Sequence, residues 1–479
     1  MLNEKDLVFL SSQGINKDLV DNQIDFLTGI SSPKTLTLIR PCTQNDGILS
    51  PSEIKRISSE SSPPMPGVFI SRFIPSSGSG TRMFNFDKFS NKFFSQLHLL
   101  PFFSEIEECC LKNNLDLKEI IANQEVDKLK KIFLDANFMN LSSEPKALIN
   151  FHKIGQSSIS PFEEFLLNSL DDITNDKISF SVQDGLENKF EARIKESIFF
   201  QNQNLEVNYD LIPQSKSTNS ICLDMDNNLI RKENGDIYTH PSGHGALLEG
   251  LNNIDSDFIF INNIDNISPK TRELRFKVSM ALYNIAFNTK KNFDMMIQTF
   301  SERNYSLLEP SINQLEHILP SQLKGKTIEE KVDLVLEMLN KPIRVCGVIK
   351  DENSKGGKPF WVYDGNSESV QIVEESQVDL KDEKQRKVWD SNIYFNPVEM
   401  VCCTKDFQGN KFNLKNFSED LLKMKVKREI SGRDCKFVEL PGLWNGSMHY
   451  WHTTFVEIPS SLFTPVKNFT DLFLPIHQP

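Results

Sequence analysis

The spacing of apolar residues changes near residue 145. Before that point, apolar positions recur every three or four residues through "EIEECCLKNNLDLKEIIANQEVDKLKKIFL", and this period predicts helices. A phenylalanine-rich stretch ahead of it, with Phe86, Phe89, Phe93, Phe94 and Leu97, is also predicted to be helical. Later in the chain, short apolar runs predict strands: "KALINFH", "KISFSVQ", "FIFINNID", "RVCGVIK", "PFWVYDG" and "FVEIP".

Helical stretches such as "SPFEEFLLNSLDDI" and "TRELRFKVSMALYNIAFNT" separate these strands. Strands that alternate with helices predict an α/β fold, in which a mostly parallel mixed sheet is flanked by helices. Ligands of such sheets bind beyond the carboxyl ends of the strands. Residues 1–66 precede this pattern and end in the Ser/Pro-rich stretch "SSESSPPMP". We interpret residues 1–66 as an N-terminal arm or a small helical segment.

Charge and composition exclude several classes of protein. The net charge is −12 and the pI is about 5.3, which disfavours nucleic-acid binding because that needs a basic face. The eight cysteines form no Cys-x-x-Cys pair, so we expect free thiols in a reducing cytoplasm. The N-terminus has no signal-peptide pattern, and no apolar run approaches the roughly 20 residues that cross a bilayer. These observations predict a cytoplasmic protein without a membrane partner.

The stretch "SSGSGTRMF", residues 76–84, follows an apolar run that ends at Pro75. Gly78 and Gly80 would let backbone N–H groups approach an anion, and Arg82 would add a fixed positive charge. The Gly-Lys-Ser/Thr ending of a Walker A loop is missing. By itself the stretch is equally compatible with a flexible surface turn.

Three further segments carry candidate chemistry. The glycine turn "PSGHG" precedes the apolar strand Phe258–Ile261, which runs into Asp265. A carboxylate at the carboxyl end of a buried strand suits Mg²⁺, although Asp265 could also cap a turn and His244 could support one. Lys146 in "EPKALINFH" and Lys467 in "FTPVKNF" would, on composition alone, be solvated charges.

Taken together and in this order, these segments resemble the nucleotidylyltransferase superfamily, most closely its UDP-sugar pyrophosphorylases. "GSGTRM" is similar to the superfamily's Gly-x-Gly-Thr-Arg-Met/Leu loop, "EPKALINFH" to its lysine segment, and "PSGHGALL" to the Pro-x-Gly-His-Gly turn. "NNIDNI" resembles the metal-binding strand end, and "FTPVKNFTDLF" the late Pro-Val-Lys segment. "QIVEESQ" and "YFNPVEMV" resemble sugar-side segments, and the likeness is closest to a bacterial, nucleotidyltransferase-like branch of unknown function.

This resemblance implies a nucleotide-diphospho-sugar transferase fold, Rossmann-like and of the GT-A type. It implies a Mg²⁺-dependent enzyme that joins a nucleoside triphosphate, with UTP expected, to a sugar 1-phosphate and releases pyrophosphate. The implied residues are Arg82, Lys146 and Lys467 for catalysis; Gly78, Ser79, Gly80, Thr81, Gln214, Gly243, His244 and Gly245 for the nucleotide; Glu374 and Asn396 for the sugar; and Asp265 for the metal, with Glu457 as a candidate second carboxylate.

It further implies a nucleotide-binding α/β domain at residues 67–340 and a sugar-side portion at 341–479 that completes the same catalytic domain. The chain departs from the characterised pattern at Pro75-Ser76-Ser77 and at Pro397-Val398. A non-catalytic nucleotide or sugar-nucleotide binding protein on the same fold is the main alternative. A glycosyltransferase that uses Asp224-Met225-Asp226 and an interaction protein on a degenerate fold are the others.

Overall fold

The computed structural model describes residues 2–51, 66–170, 173–197, 200–201, 207–318, 323–351, 356–365, 367–430 and 432–479. Residues 58–65 of the Ser/Pro-rich stretch therefore lie outside the described residues. The strands are β1 (Thr37–Pro41), β2 (Ile48–Leu49), β3 (Ile70–Pro75), β4 (His152–Ile154), β5 (Ser157–Ile159), β6 (Ile178–Val182), β7 (Tyr209–Pro213), β8 (Ser220–Asp224), β9 (Thr239–His240), β10 (Phe258–Asn262), β11 (Ile343–Lys350), β12 (Lys358–Tyr363), β13 (Glu368–Val373), β14 (Tyr394–Phe395), β15 (Glu399–Cys403), β16 (Met424–Ile430), β17 (Arg433–Glu439) and β18 (His452–Glu457).

The helices are α1 (Glu4–Ser12), α2 (Lys17–Thr28), α3 (Phe103–Lys112), α4 (Leu117–Ala122), α5 (Val126–Leu134), α6 (Pro161–Ser169), α7 (Glu187–Glu196), α8 (Leu247–Asn252), α9 (Arg272–Ser301), α10 (Tyr305–Ile318), α11 (Ile328–Leu339) and α12 (Glu383–Asp390). Short 3-10 helices at Gly80–Arg82 and Lys146–Leu148 lie close to the candidate site, and others connect the remaining elements.

A nine-stranded sheet lies at the centre of the described part of the chain, in the order β2-β18-β11-β15-β10-β3-β6-β7, with β14 paired to β11. Strands β10, β3, β6 and β7 are mutually parallel, and so are β11, β18 and β2. β15 is antiparallel to both β10 and β11. The prediction of a mostly parallel mixed sheet is confirmed. The carboxyl ends of β3, β6, β7 and β10 consequently meet at one edge of the sheet.

Helices cover both faces of this sheet because successive strand residues point to opposite sides. On β10, Phe258 and Phe260 pack with residues of α9, whereas Ile259 and Ile261 pack with residues of α8. On β6, Phe180 packs against α6. These strands are buried on both faces, which explains why their sequences read as continuous apolar runs.

Two local predictions from the sequence are wrong. "KALINFH" forms a 3-10 helix at Lys146–Leu148, followed by β4, instead of one strand. The reason is a non-local pairing, because the Lys146 N–H donates to the Gly78 carbonyl at 2.9 Å. The phenylalanine-rich stretch forms two 3-10 helices, Phe86–Lys88 and Asn91–Leu99, whose rings pack with Phe469 and its neighbours.

The described part of residues 1–66 is built into the sheets of later segments. β1 pairs with β12 in a three-stranded sheet, and β2 pairs with β18 in the nine-stranded sheet. Helices α1 and α2 pack on the four-stranded sheet β16-β17-β8-β9 through a cluster that includes Leu10, Phe26, Leu223 and Val438. Both N-terminal strands therefore depend on partners that lie beyond residue 340.

Two buried histidines tie the end of the chain to the core. His152 Nδ1 lies 2.5 Å from Glu164 Oε2, and His152 Nε2 lies 2.8 Å from Nδ1 of His477. All three residues are at most 2% exposed. Residues 464–479, called the C-terminal segment below, are anchored at their far end by this contact.

This contact predicts an acid-sensitive stability. Burial, together with the nearby His152, lowers the pKa of His477 to about 4. In the unfolded chain the His477 imidazole binds a proton near pH 6.5, whereas in the folded protein it does so only near pH 4. The free energy of unfolding is therefore unaffected by this group above pH 6.5 and decreases as the pH falls towards 4. The loss is on the order of 3 kcal/mol. We expect Tm to decrease between pH 6.5 and 4 more steeply in the wild type than in His477→Gln; equal slopes would contradict this.

Candidate functional site

The loop at residues 76–84, called the glycine loop below, leaves the carboxyl end of β3 and pairs with a distant segment. Gly80 N–H donates to the Glu144 carbonyl at 2.8 Å, and the Thr81 hydroxyl donates to the Ser142 carbonyl at 2.9 Å. Together with the bond between Lys146 and Gly78, these contacts give the loop a defined conformation. Its backbone is therefore positioned by the protein before any ligand binds.

The two glycines of the loop have different surroundings. A Cβ on Gly80 would lie 2.3 Å from the Leu141 carbonyl oxygen and 3.0 Å from Ile149 Cδ1, so no larger residue fits there. A Cβ on Gly78 would meet nothing within 4 Å, and Gly78 is exposed. Gly80 thus permits the close approach of two backbone segments, while Gly78 presents open backbone to a ligand.

Lys146 and Asp265 form an ion pair, with 2.7 Å between Nζ and Oδ2. Asp265 follows the carboxyl end of β10, and Lys146 lies against the glycine loop. Their side chains are 14% and 26% exposed, so the pair can be reached from solvent. The structure therefore brings together the sequence-predicted lysine and the sequence-predicted metal carboxylate.

The C-terminal segment passes between the Asp265 turn and the glycine loop. Val466 N–H donates to the Asp265 carbonyl at 2.9 Å, and Phe469 N–H donates to the Met83 carbonyl at 3.0 Å. Lys467 lies between these two contacts and is exposed, with its Nζ 5.4 Å from the Phe463 ring centroid. Lys467 is thus held between the Asp265 turn and the glycine loop.

The charge of this region is opposite to that of the whole chain. Arg82 lies on the 3-10 helix Gly80–Arg82 of the glycine loop. The side chains of Arg82 and Lys467 are both exposed. Lys146 pairs with the Asp265 carboxylate, and Arg82 and Lys467 lie on the two segments beside it, in a protein of net charge −12. Exposed positive charge beside the open backbone of Gly78 suits the phosphates of a nucleotide.

The residues predicted to contact the base lie at the same edge of the sheet. Gln214 directly follows β7, and its Nε2 donates to the Gly243 carbonyl at 3.2 Å. Gly243 has φ = +55°, and a Cβ on Gly245 would lie 2.3 Å from Leu440 Cβ. The side chain of His244 lies outside the described part of the structure. Gln214 and the glycine turn thus form one continuous surface.

The two predicted sugar-side residues differ in what they offer a ligand. Burial, together with nearby Glu439, raises the pKa of Glu374, whose backbone N–H donates to Gln377 Oε1 at 2.9 Å. Asn396 is 3% exposed; its Nδ2 donates to the Gly347 carbonyl at 2.7 Å, and its Oδ1 accepts from Val398 N–H at 3.2 Å. Both polar groups of Asn396 are therefore used inside the protein.

Other carboxylates named from the sequence lie elsewhere. Glu457 ends β18, three strands from β10, which corresponds to about 14 Å. It accepts from the Tyr394 hydroxyl at 2.7 Å. The Asp224 carboxylate accepts from Asp226 and Asn228 N–H groups, so Asp224-Met225-Asp226 forms a tight turn. This geometry matches a hairpin turn and gives no support to a glycosyltransferase metal site.

The donors present fit a metal ion that a nucleotide helps to hold. Among the described residues, no group of three or more His, Cys, Asp or Glu side chains could hold a metal. Proteins usually bind Mg²⁺ through one or two carboxylates together with substrate phosphates. The single carboxylate of Asp265, beside a cationic phosphate site, matches that arrangement.

A buried polar network beneath Asp265 was missed by the sequence reasoning. It joins Arg72, Asn262 and Glu399, which are all at most 3% exposed. One signal was present, because Arg72 interrupts an otherwise apolar strand and a buried arginine needs partners. The identity of those partners depends on the pairing of β3, β10 and β15.

Among the described residues no helix is long and apolar enough to span a membrane. A Trypanosoma brucei uridine diphosphate N-acetylglucosamine pyrophosphorylase in complex with an inhibitor is similar at 11% identity and TM-score 0.49, over 98% of this chain and 79% of that chain. A Trypanosoma brucei UDP-glucose phosphorylase is similar at 12% identity and TM-score 0.42, over 98% of this chain and 77% of that chain. A Leishmania major UDP-glucose pyrophosphorylase is similar at 11% identity and TM-score 0.42, over 98% of this chain and 79% of that chain.

No curated protein matches the sequence. A family model described as "Domain of unknown function (DUF4301)" matches residues 3–478. Because that match spans nearly the whole sequence, this chain belongs to the DUF4301 family.

Proposed function

We propose that this chain is a Mg²⁺-dependent nucleotidyltransferase that joins a nucleoside triphosphate, in the first instance UTP, to a sugar 1-phosphate and releases pyrophosphate. The observation that carries the proposal is the convergence of three segments, the glycine loop, the Lys146–Asp265 pair and the C-terminal segment, at the carboxyl edge of the sheet. The parallel strands that end at this edge also support a Rossmann-like, GT-A type arrangement.

In the proposed reaction, an oxygen of the sugar phosphate attacks the α-phosphorus of the triphosphate. The bond from this phosphorus to the bridging oxygen breaks, and pyrophosphate leaves with that electron pair. The Gly78 backbone N–H, the Ser79 hydroxyl and Arg82 hold the β- and γ-phosphates. The Gly80 N–H and the Thr81 hydroxyl, which donate to the Glu144 and Ser142 carbonyls, keep the loop in the conformation that receives them. This protein therefore contributes position and charge and forms no covalent bond to the substrate.

Lys146 and Lys467 offset the negative charge that develops at the α-phosphate. Asp265 would hold Mg²⁺ together with phosphate oxygens, and the ion when bound supplies charge neutralisation between the phosphates. In the free protein the Lys146 ammonium occupies one Asp265 oxygen. Triphosphate binding gives Lys146 a new partner and frees that oxygen, so nucleotide and metal are expected to bind together.

The base lies, in this proposal, against Gln214 and the turn at Gly243, His244 and Gly245. Glu374 is the candidate for the sugar hydroxyls; its carboxylate is partly buried and lies near Glu439. Asn396 supports the segment around Val398 through backbone contacts. The proposed partners are thus a nucleoside triphosphate and a phosphorylated sugar.

Pyrophosphate release and thermal shift test this function together. We expect UTP with Mg²⁺ to raise Tm by mass action, and a panel of sugar 1-phosphates to include one that supports pyrophosphate release. Each nucleotide is tested with and without Mg²⁺, and each sugar phosphate without nucleotide serves as the control. Binding without turnover across the panel would favour the non-catalytic alternative, and absence of both binding and turnover would overturn the proposal.

A further inference from the structure

Glu399, the first residue of β15, is a buried carboxylate held by three side chains. It is 3% exposed and forms an ion pair with Arg275 of α9. It also accepts from Asn262 Nδ2 and, at 3.4 Å, from Asn266 Nδ2. Burying a carboxylate is costly unless it is paired and hydrogen-bonded, so removing the Glu399 charge would leave the buried Arg275 guanidinium without its counter-ion.

The partners of Glu399 bracket the turn that carries Asp265. Asn262 precedes the turn as the last residue of β10, and Asn266 immediately follows Asp265. Arg275 also donates from Nη2 to the Asn266 carbonyl at 2.9 Å. One carboxylate–guanidinium pair thereby fixes both ends of the turn.

The same network reaches the glycine loop and the C-terminal segment. Arg72, in the strand that leads into the glycine loop, donates from Nη1 to Asn262 Oδ1. Thr464 N–H, at the start of the C-terminal segment, donates to Asn266 Oδ1 at 2.8 Å. Hydrogen bonds consequently connect one buried charge pair to three segments: the glycine loop, the Asp265 turn and the C-terminal segment that carries Lys467.

Backbone strain lies directly beside Glu399. Val398 has φ = +62° and is 4% exposed. A β-branched residue in the left-handed region is a true outlier, and such strain persists only where the surroundings enforce it. The Asn396 side chain enforces it by accepting from Val398 N–H while bonded to Gly347. This conformation directs the chain so that Glu399 begins β15 opposite Asn262.

We propose that Glu399, with Arg275, is a positioning residue for nucleotidyl transfer: it sets the Asp265 carboxylate relative to the glycine loop and Lys467 without touching the substrate. The inference rests on the proposed function. Residues that orient a metal ligand typically change metal affinity or activity by 10- to 100-fold when they are substituted. Substituting a carboxylate with a purely structural role would lower the stability of the protein and leave metal affinity and activity unchanged.

The test compares Glu399→Gln with a matched variant, Glu419→Gln. Glu419 is also a buried carboxylate, 8% exposed and paired with Lys34 at 2.7 Å. Its other hydrogen-bond donors among the described residues, the Tyr450 hydroxyl and the Leu421 N–H, lie outside the network. Mn²⁺ is the metal probe, titrated in the presence of UTP and followed by water proton relaxation. Tm, KM and kcat are measured on the same samples.

We expect Glu399→Gln to weaken Mn²⁺ binding in the UTP complex by about 10- to 100-fold and to lower kcat more than it raises KM. Glu419→Gln is expected to lower Tm and to retain wild-type Mn²⁺ affinity. If Glu399→Gln does not fold, Asn266→Ala carries the test, because it removes the link to Thr464 without leaving a buried charge unpaired. The same loss of Mn²⁺ affinity is expected of it.

Two contrary outcomes are distinguishable. If the wild type binds Mn²⁺ with UTP and Glu399→Gln binds it equally, or loses no more affinity than Glu419→Gln, the positioning role is wrong and the proposed function stands. If the wild type binds neither UTP nor Mn²⁺, the proposed function fails, and the positioning role fails with it.

Discussion

Asp265→Asn is expected to lower kcat for pyrophosphate release by at least about 100-fold, the scale seen when one charge-stabilising group is removed from an active site. Asparagine retains the size of aspartate and removes the charge that would hold Mg²⁺ against the phosphates. UTP binding in the presence of EDTA is expected to become tighter, because Asp265 no longer competes with phosphate for the Lys146 ammonium. Steady-state kinetics and isothermal titration calorimetry measure the two effects.

The matched control for this substitution is Asp226→Asn. Asp226 is exposed in the turn after β8, outside the segments that converge at the phosphate site. We expect it to match the wild type in both measurements. If Asp226→Asn lost activity while Asp265→Asn kept full activity, the metal site would lie at Asp224-Met225-Asp226, and a glycosyltransferase would be favoured.

Gly80→Ala is expected to destabilise the protein by about 1–3 kcal/mol, the usual cost of an added methyl group in a tightly packed site. The new Cβ would lie 2.3 Å from the Leu141 carbonyl oxygen, so backbone must move on one side of the contact. A displacement of about 1 Å in a phosphate-positioning loop costs on the order of 100-fold in rate. Thermal denaturation and pyrophosphate release measure the two consequences.

Gly78→Ala separates this steric effect from a general intolerance of the loop. Its added Cβ meets nothing within 4 Å, and the residue does not need a left-handed backbone. Its Tm is therefore expected to equal that of the wild type, while Gly80→Ala melts lower. Equal melting of all three proteins would show that the Gly80 contact does not constrain the loop.

Much of the sheet could be predicted from local sequence, because buried parallel strands are continuous apolar runs. β6, β10 and β11 lie where the runs predict them. The failure at "KALINFH" has a specific cause. The Lys146 N–H donates to the Gly78 carbonyl, more than 60 residues earlier, instead of to a sheet neighbour, and the Glu144 carbonyl just before the segment accepts from the Gly80 N–H. A pairing of that separation leaves no periodic signal in the segment itself.

The candidate site shows the same division. A glycine loop, an aspartate after a buried strand and two lysines were recognisable as residue types, because each lies in a segment with its own pattern. Their proximity could not be recognised from the sequence, because Lys146 and Asp265 are 119 residues apart. The role of Asn396 likewise could not be predicted, because its amide nitrogen donates to the carbonyl of Gly347, 49 residues earlier, while its amide oxygen accepts from the Val398 N–H.

The sequence by itself determined the α/β class with a largely parallel sheet, the acidic net charge and a set of candidate residues for phosphate and metal, because hydrophobic period, net charge and side-chain chemistry are local properties. Only the tertiary structure decided that Lys146 pairs with Asp265, that Gly80 lies against Leu141, and that Glu399 ties the phosphate-site segments together. These are contacts between distant segments, and they exist only once β3, β10 and β15 lie side by side.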